Sequence, residues 1–306
     1  MSADGGLLEL PNPFPTEYGK VLLHEPPGAD REALLESIRN GSYDKPFVAD
    51  DGDARTLYFS LIYVQSCMRI AAPDALELAY TRKMMAFLLF HTNPRSLLLL
   101  GLGGGSLAKF CHRHLPLARI AAVEISPQVI AFRELFCLPP DDARFRVVEA
   151  DAADYLAAAR DKRAGHQTGP KEACERYDVI MIDAFDRHGL ASSISTPEFY
   201  ADVRAALLPR GVLVCNLAGL REERAAHLEL MMTAFGDNLL VLPVEDDGNE
   251  VVFAFRDAAF EPRWRWINSQ AQAMRSRYGL DFPRFAAKLE RGSKLGYLQR
   301  SLGGAA

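Results

Sequence analysis

Residues 96–107 read Ser96-Leu97-Leu98-Leu99-Leu100-Gly101-Leu102-Gly103-Gly104-Gly105-Ser106-Leu107. Four consecutive leucines fit a strand buried on both faces. The glycines that follow let the backbone turn sharply with no Cβ in the way. An apolar-periodic pattern resumes at Ser106, so a helix is expected where the glycines end. Strand, glycine turn and helix make the opening unit of a nucleotide-binding α/β sheet. A carboxylate follows at a suitable distance, because Ile120-Ala121-Ala122-Val123-Glu124 reads as a second short strand ending in an acid. At the tip of a neighbouring strand such an acid can take both hydroxyls of a ribose.

The glycine spacing narrows the ligand. Gly101, Gly103 and Gly105 make G-x-G-x-G, whereas the dinucleotide pattern needs glycine where Ser106 stands. No Gly-Lys-Ser or Gly-Lys-Thr occurs, which argues against a P-loop. The pattern suits a nucleoside without a pyrophosphate, such as S-adenosylmethionine and its relatives.

Composition bounds the class. The 306 residues suffice for one large domain, or a medium domain with a smaller partner. A hydrophobic share of 49% with 25% charged residues is a globular balance. The net charge of −5 argues against nucleic acid as a partner, since no strong basic field exists to release counterions. Cys67, Cys111, Cys137, Cys174 and Cys215 form no C-x-x-C pair, so neither a zinc ribbon nor a redox motif is indicated. An odd count behind an N-terminus unlike a signal peptide points to a reducing cytoplasm. The longest apolar region is broken by His91-Thr92-Asn93-Pro94-Arg95, so no membrane span is expected.

In chain order, Asp30 is placed to cap a short helix over 31–38, and Asp50-Asp51-Gly52-Asp53 reads as a turn. Thr56 to Ser66 is aromatic and β-branched, hence strand. A helix is expected from Pro73 to about Phe90, ended by Asn93-Pro94. Further parallel strands are expected at 144–151, 177–183 and 212–216, with capped helices opening at Ser126-Pro127 and Thr196-Pro197. A helix near 221–235 precedes an antiparallel pair, 239–242 and 251–255. Residues 161–176 read as a polar loop and 246–249 as an acidic turn. The fold expected is α/β: a class I methyltransferase-like (Rossmann-like) seven-stranded sheet with helices on both faces and a small, partly β N-terminal domain. The domain reading is 1–75, 76–261 for the nucleoside-binding part, and a helical tail over 262–306 anchored by Trp264 and Trp266.

Ligands of an open α/β sheet sit beyond the carboxyl ends of its strands. There this chain places the Gly101–Gly105 turn, Glu124, Asp151 and Asp183. Glu124 is expected to hold ribose hydroxyls, Asp151 with Ala152 the adenine amino group, and Asp183 to face the reacting centre. Such acids also cap the next helix in many folds. Asp183-Ala184-Phe185-Asp186 brings two carboxylates into one turn. Such a pair can hold a cationic amine, or orient a neutral one and take its proton, and the loop to Ser195 could close as a lid. His112 and His114 are two apart on a helix and point in different directions, so no metal site is expected there.

On these residues the chain resembles the polyamine aminopropyltransferases, the spermidine and spermine synthases, over residues 56–255. The resemblance implies transfer of an aminopropyl group from decarboxylated S-adenosylmethionine to a small-molecule amine, without metal. The family's G-G-G-D-G-G lies over Gly101 to Ser106, and its D-x-x-D over Asp183 and Asp186. This implies that Asp183 is the catalytic acid and Asp186 the amine-binding one. Tyr63-Val64-Gln65 resembles the family's V-x-Q, making Gln65 a donor contact, and Tyr80 stands for the family's substrate-binding tyrosine. A homodimer through the N-terminal part is implied as well. Three departures matter: the family's Y-H-E or Y-Q-E stretch appears only as Tyr80-Thr81-Arg82, Arg187 stands where the family's D-x-x-D is followed by proline, and the family's acid inside the glycine motif, which pairs with the donor's ammonium, is Gly104 here. The last keeps two alternatives open, a methyltransferase using S-adenosylmethionine itself and a non-catalytic nucleoside-binding member.

Overall fold

The computed structural model describes residues 7–13, 18–60, 63–163, 176–186, 189–245 and 248–302, without the side chains of residue 63 and residues 185–190. Its centre is β6 (Ser96–Leu100), in which all five residues are buried. β6 pairs in parallel with β7 (Arg119–Glu124) on one side and β9 (Tyr177–Ile182) on the other. β8 (Phe145–Glu149) closes one edge beside β7. Beyond β9 lie β12 (Leu207–Leu217), then β14 (Glu250–Phe255) and β13 (Leu239–Pro243), the last two antiparallel. The resulting seven-stranded order is β13-β14-β12-β9-β6-β7-β8.

The four leucines explain why β6 takes the middle. A strand's side chains alternate between faces. Leu97 and Leu99 enter the core beneath α3 (Ser106–His114), α8 (Trp264–Tyr278) and α9 (Phe282–Lys294). Leu98 and Leu100 enter the opposite core, beneath α5 (Ala152–Arg163), α6 (Pro197–Ala206) and α7 (Arg221–Phe235). Each buried leucine contributes about 1.5–3 kcal/mol, so a strand apolar on both faces is stable only between two helical layers. The Thr196 hydroxyl accepts the Phe199 N–H at 3.1 Å to start α6, and Ser126 caps α4 (Pro127–Ala131) in the same way.

The N-terminal part is a five-stranded antiparallel meander: β1 (Leu8–Pro11), β2 (Lys20–Leu23), β3 (Phe47–Asp50), β4 (Ala54–Ser60) and β5 (Tyr63–Arg69). One face packs on α1 (Arg31–Arg39), which Asp30 caps through the Glu32 and Ala33 N–H groups. The other packs Leu22, Val48, Leu57 and Met68 onto Val129, Phe132 and Phe136, around and beyond α4. This contact swings β5 over the glycine turn.

Three expectations are corrected. The helix read from Pro73 begins only at α2 (Ala79–Met84) and continues as a 3₁₀ turn over Met85–Leu89. Met84 to Leu89 are buried on every side, so no amphipathic stripe governs them, and Arg82 donates to the Leu76 and Glu77 carbonyls of the incoming loop. Trp264 does anchor the tail, edge-on to Phe90, but Trp266 is 49% exposed because it faces outward from α8. The loop read at 161–176 begins instead as the last turn of α5, and 164–175 lie outside the described residues, as do Asp246 and Asp247 of the acidic turn.

Gly101 carries the tightest backbone demand. Its φ is +98°, and a Cβ there would lie 2.2 Å from the Asp183 carbonyl oxygen. Gly101→Ala is therefore expected to destabilise the protein by about 2–5 kcal/mol, strain and overlap together. Gly52, at φ +92° with nothing within 4 Å of a Cβ, serves as control: Gly52→Ala is expected to cost only about 1 kcal/mol. Urea denaturation of the two variants measures the difference.

Candidate active site

The glycine turn forms the floor of the site. Gly101, Gly103 and Gly105 all take positive φ, which lets the chain turn directly from β6 into α3. The turn is stapled from below. The Leu102 N–H donates to Glu124 Oε2 at 3.0 Å, and the Ser126 N–H donates to Glu124 Oε1 at 2.9 Å. Glu124, only 7% exposed, thus joins the turn to the start of α4. The four glycines expected at the ligand do not share one role. Gly101 and Gly103 line the cavity above the turn. Gly104 is buried sideways: a Cβ there would meet Ser66 Oγ at 2.6 Å and the Phe136 ring at 2.8 Å. Gly105 similarly faces Leu138.

Above the turn lies a cavity of about 300 Å³. Gln65 and Ser66 reach it from β5, and Tyr80 from α2. Glu124, Asp151, Ala152 and Asp183 come from the strand ends. The structure therefore gathers the expected acids at one mouth of the sheet. Asp186 lies in the two-residue strand β10 (Phe185–Asp186), paired with β11 (Gly189–Leu190), and its side chain is outside the description. Arg187 and His188, in the loop read as a lid, are outside the described residues altogether.

The three acids are held differently. Asp151 Oδ1 accepts the Ala153 and Asp154 N–H groups at 2.7 and 3.2 Å, capping α5. Its Oδ2 accepts the Ser193 hydroxyl at 2.8 Å, which ties the 3₁₀ turn Ser192–Ile194 to the cavity wall. Asp183 takes only side-chain donors among its described contacts. The Tyr80 hydroxyl donates to Oδ2 at 3.1 Å, and Asn216 Nδ2 donates to Oδ1 at 3.0 Å. Burial pushes the Asp183 carboxyl up to about 6, against the opposing pull of Asn216 and Tyr80.

Sequence reasoning missed Asn216, Ser66, Ser106 and Ser193. The available signal was the polar end of an apolar strand: Asn216 follows Val212-Leu213-Val214-Cys215 and is 2% exposed. Ser66 and Ser106 lie in different elements, and their hydroxyls meet at 3.2 Å. No spacing rule links them. No Lys, Arg or His among the described residues lines the cavity. Among those residues, too, no group of three or more His, Cys, Asp or Glu could hold a metal, and His112 and His114 instead pack against Phe145 and Phe110.

Residues 77–234 match the spermine/spermidine synthase domain. The chain is also 34% identical over 244 residues to the polyamine aminopropyltransferase of Chromobacterium violaceum, covering 79% of this chain and 88% of that one. The chain belongs to the spermine/spermidine synthase family. As a member of that family it is a transferase. A crystal structure of spermidine synthase in complex with the transition state analogue AdoDATO is similar in fold. It superposes with a TM-score of 0.62 at 16% identity, over 85% of this chain and 86% of that one. The structure of human methyltransferase-like protein 13 in complex with SAH is similar too, at TM-score 0.57 and 27% identity, covering 66% and 93%. The spermine/spermidine synthase fold and the methyl-transfer fold are thus one architecture here.

The raised Asp183 carboxyl has a consequence for stability. The folded state holds this proton more tightly than an unfolded aspartate, so stability falls as pH rises from about 4 to about 6 and is level above. The cost of ionising the folded carboxyl is up to about 3 kcal/mol. Asp183→Asn is accordingly expected to be more stable than the parent at pH 8 by about 1–3 kcal/mol, and equal to it near pH 4. Denaturation at the two pH values checks this.

Proposed function

We propose that the protein transfers an aminopropyl group from decarboxylated S-adenosylmethionine to a small amine. One observation carries the reading: the cavity wall holds three carboxylates and, among the described residues, no cation. The decarboxylated donor is a sulfonium with an ammonium arm and matches that field. The carboxylate of S-adenosylmethionine itself would face repulsion with no described countercharge.

In this reading the adenosine lies over Gly101 and Gly103, with Glu124 at the ribose hydroxyls. Asp151 and Ala152 meet the adenine, with Ser193 sharing the Asp151 carboxylate. Gln65 touches the donor, while Tyr80 and Asp186 hold the acceptor. The acceptor nitrogen attacks the methylene carbon beside the sulfonium, the carbon–sulfur bond breaks, and methylthioadenosine leaves. Asp183 takes the proton lost by the nitrogen. Its carboxyl, at about 6, is largely ionised at pH 7 yet basic enough to share a proton. Positioning supplies the rest of the rate. A homodimer, a cytoplasmic location and the division at 75 and 261 belong to the same proposal.

Methyl transfer is the second reading, and Gly104 favours it. The position of the family's ammonium-pairing acid is filled by packing against Ser66 and Phe136. Calorimetric titration with the two donors and methylthioadenosine separates the readings. The decarboxylated donor is expected to bind at least about tenfold tighter than S-adenosylmethionine, the worth of one uncompensated charge contact. The reverse order, with methylated product by mass spectrometry, overturns the proposal. Asp183→Asn is expected to lower kcat about a hundred- to ten-thousandfold. The parent's rate is expected to fall below pH 6, where Asp183 becomes protonated.

A further inference from the structure

Asp183 ends a chain of amides that begins at the sheet edge. Asn249 lies in the turn between β13 and β14, where its carbonyl accepts the Val244 N–H at 2.7 Å. Its Nδ2 donates to Asn216 Oδ1 at 3.1 Å, and Asn216 Nδ2 donates to Asp183 Oδ1 at 3.0 Å. Only one orientation of the Asn216 amide serves both neighbours. An ionised carboxylate only accepts, so the NH₂ group faces Asp183 and the oxygen faces Asn249. The Asn249 donation reinforces the orientation that the carboxylate selects: a flip would set the Asn216 oxygen against the carboxylate and also turn its NH₂ group toward the Asn249 NH₂.

We propose that Asn249, acting through Asn216, is a positioning residue for Asp183: the turn amide orients the strand amide, and the strand amide orients the carboxylate. This rests on the reading of Asp183 as the proton acceptor. Few other groups face that carboxylate among the described residues. Tyr80 reaches it from α2, and the Cys215 thiol lies beside it on β12, kept neutral by burial. Across the cavity stand Glu124 at the end of β7 and Asp151 at the start of α5. None of these is a cation, so the two donors Asn216 and Tyr80 are what offsets desolvation of the charged form. Weakening one of them moves the proton equilibrium upward.

The test uses the full chain with Asn216→Ala and Asn249→Ala. The Asp183 carboxyl is titrated by ¹³C-detected NMR without substrate, and the acid limb of kcat/KM is measured separately. The midpoint is expected to rise from about 6 by about one pH unit in Asn216→Ala, the worth of one hydrogen bond to a charge. Asn249→Ala is expected to move it the same way by about half as much. Asn238→Ala is the structural control, since that amide bonds the Ala258 carbonyl at the other end of the same hairpin. It is expected to lower the melting temperature and leave the midpoint in place. An unmoved midpoint in Asn249→Ala, or an equal shift in Asn238→Ala, overturns the proposal and leaves Asn249 as a hairpin closure only. Should Asn216→Ala fail to fold, Asn249→Ala decides alone. A moved midpoint without turnover of any sulfonium donor keeps the relay and removes the aminopropyl reading. Turnover of the decarboxylated donor with an unmoved midpoint does the opposite.

Discussion

Three parallel strand ends are drawn together at Gly101. Its N–H donates to the Val123 carbonyl at 2.9 Å, and the Asp183 N–H donates to the Leu100 carbonyl at 2.9 Å. The approach to β9 leaves no room for a Cβ. Because β6, β7 and β9 end in register there, the turn, Glu124 and Asp183 share one level of the sheet. The leucine core beneath makes that level rigid, since apolar packing on both faces of β6 resists any shear of the strands. A site assembled this way places its groups through backbone geometry before any side chain is chosen.

The three cavity acids then separate by what else they hold. Glu124 spends lone pairs on two backbone N–H groups, and Asp151 does likewise at the head of α5. Both are structural staples as well as cavity walls. Asp183 is held by side chains alone in its described contacts, and burial lifts its carboxyl toward neutrality. In the proposed reading the acid without a capping duty is the one that exchanges a proton, a division of labour that environment rather than residue type creates.

Much of this was legible in the sequence because it is local. The leucine run, the G-x-G-x-G spacing and the strand-terminal acids are short-range patterns, and the backbone follows them. The caps at Asp30, Ser126 and Thr196 were readable for the same reason, as one side chain and one turn suffice. What escaped reading depends on distance. Ser66 and Ser106 meet across 40 residues, and Asp151 and Ser193 across 42. The start of α2 was misplaced because the following segment is buried on all sides, so its periodicity carries no information about which face turns inward. The separate fates of the four glycines were also invisible, since a spacing motif does not say which Cβ positions open on the cavity and which on packing.

Gly104 shows how such a difference reshapes recognition. Its neighbour Phe136 belongs to the apolar contact between the N-terminal sheet and α4, with Leu22, Val48, Leu57 and Met68. Lys109 donates to the Phe136 carbonyl at 2.7 Å and so holds that segment in place. A carboxylate at position 104 would have to displace both the ring and Ser66. The absence of an acid there is therefore built into the domain contact and is not a single exchangeable residue. An ammonium arm entering this part of the cavity meets the Ser66 and Ser106 hydroxyls, dipoles instead of a charge, and is attracted less strongly. On the aminopropyl reading proposed above, three carboxylates with no cation among the described residues penalise an incoming carboxylate, so discrimination between donors would rest on rejecting the wrong one.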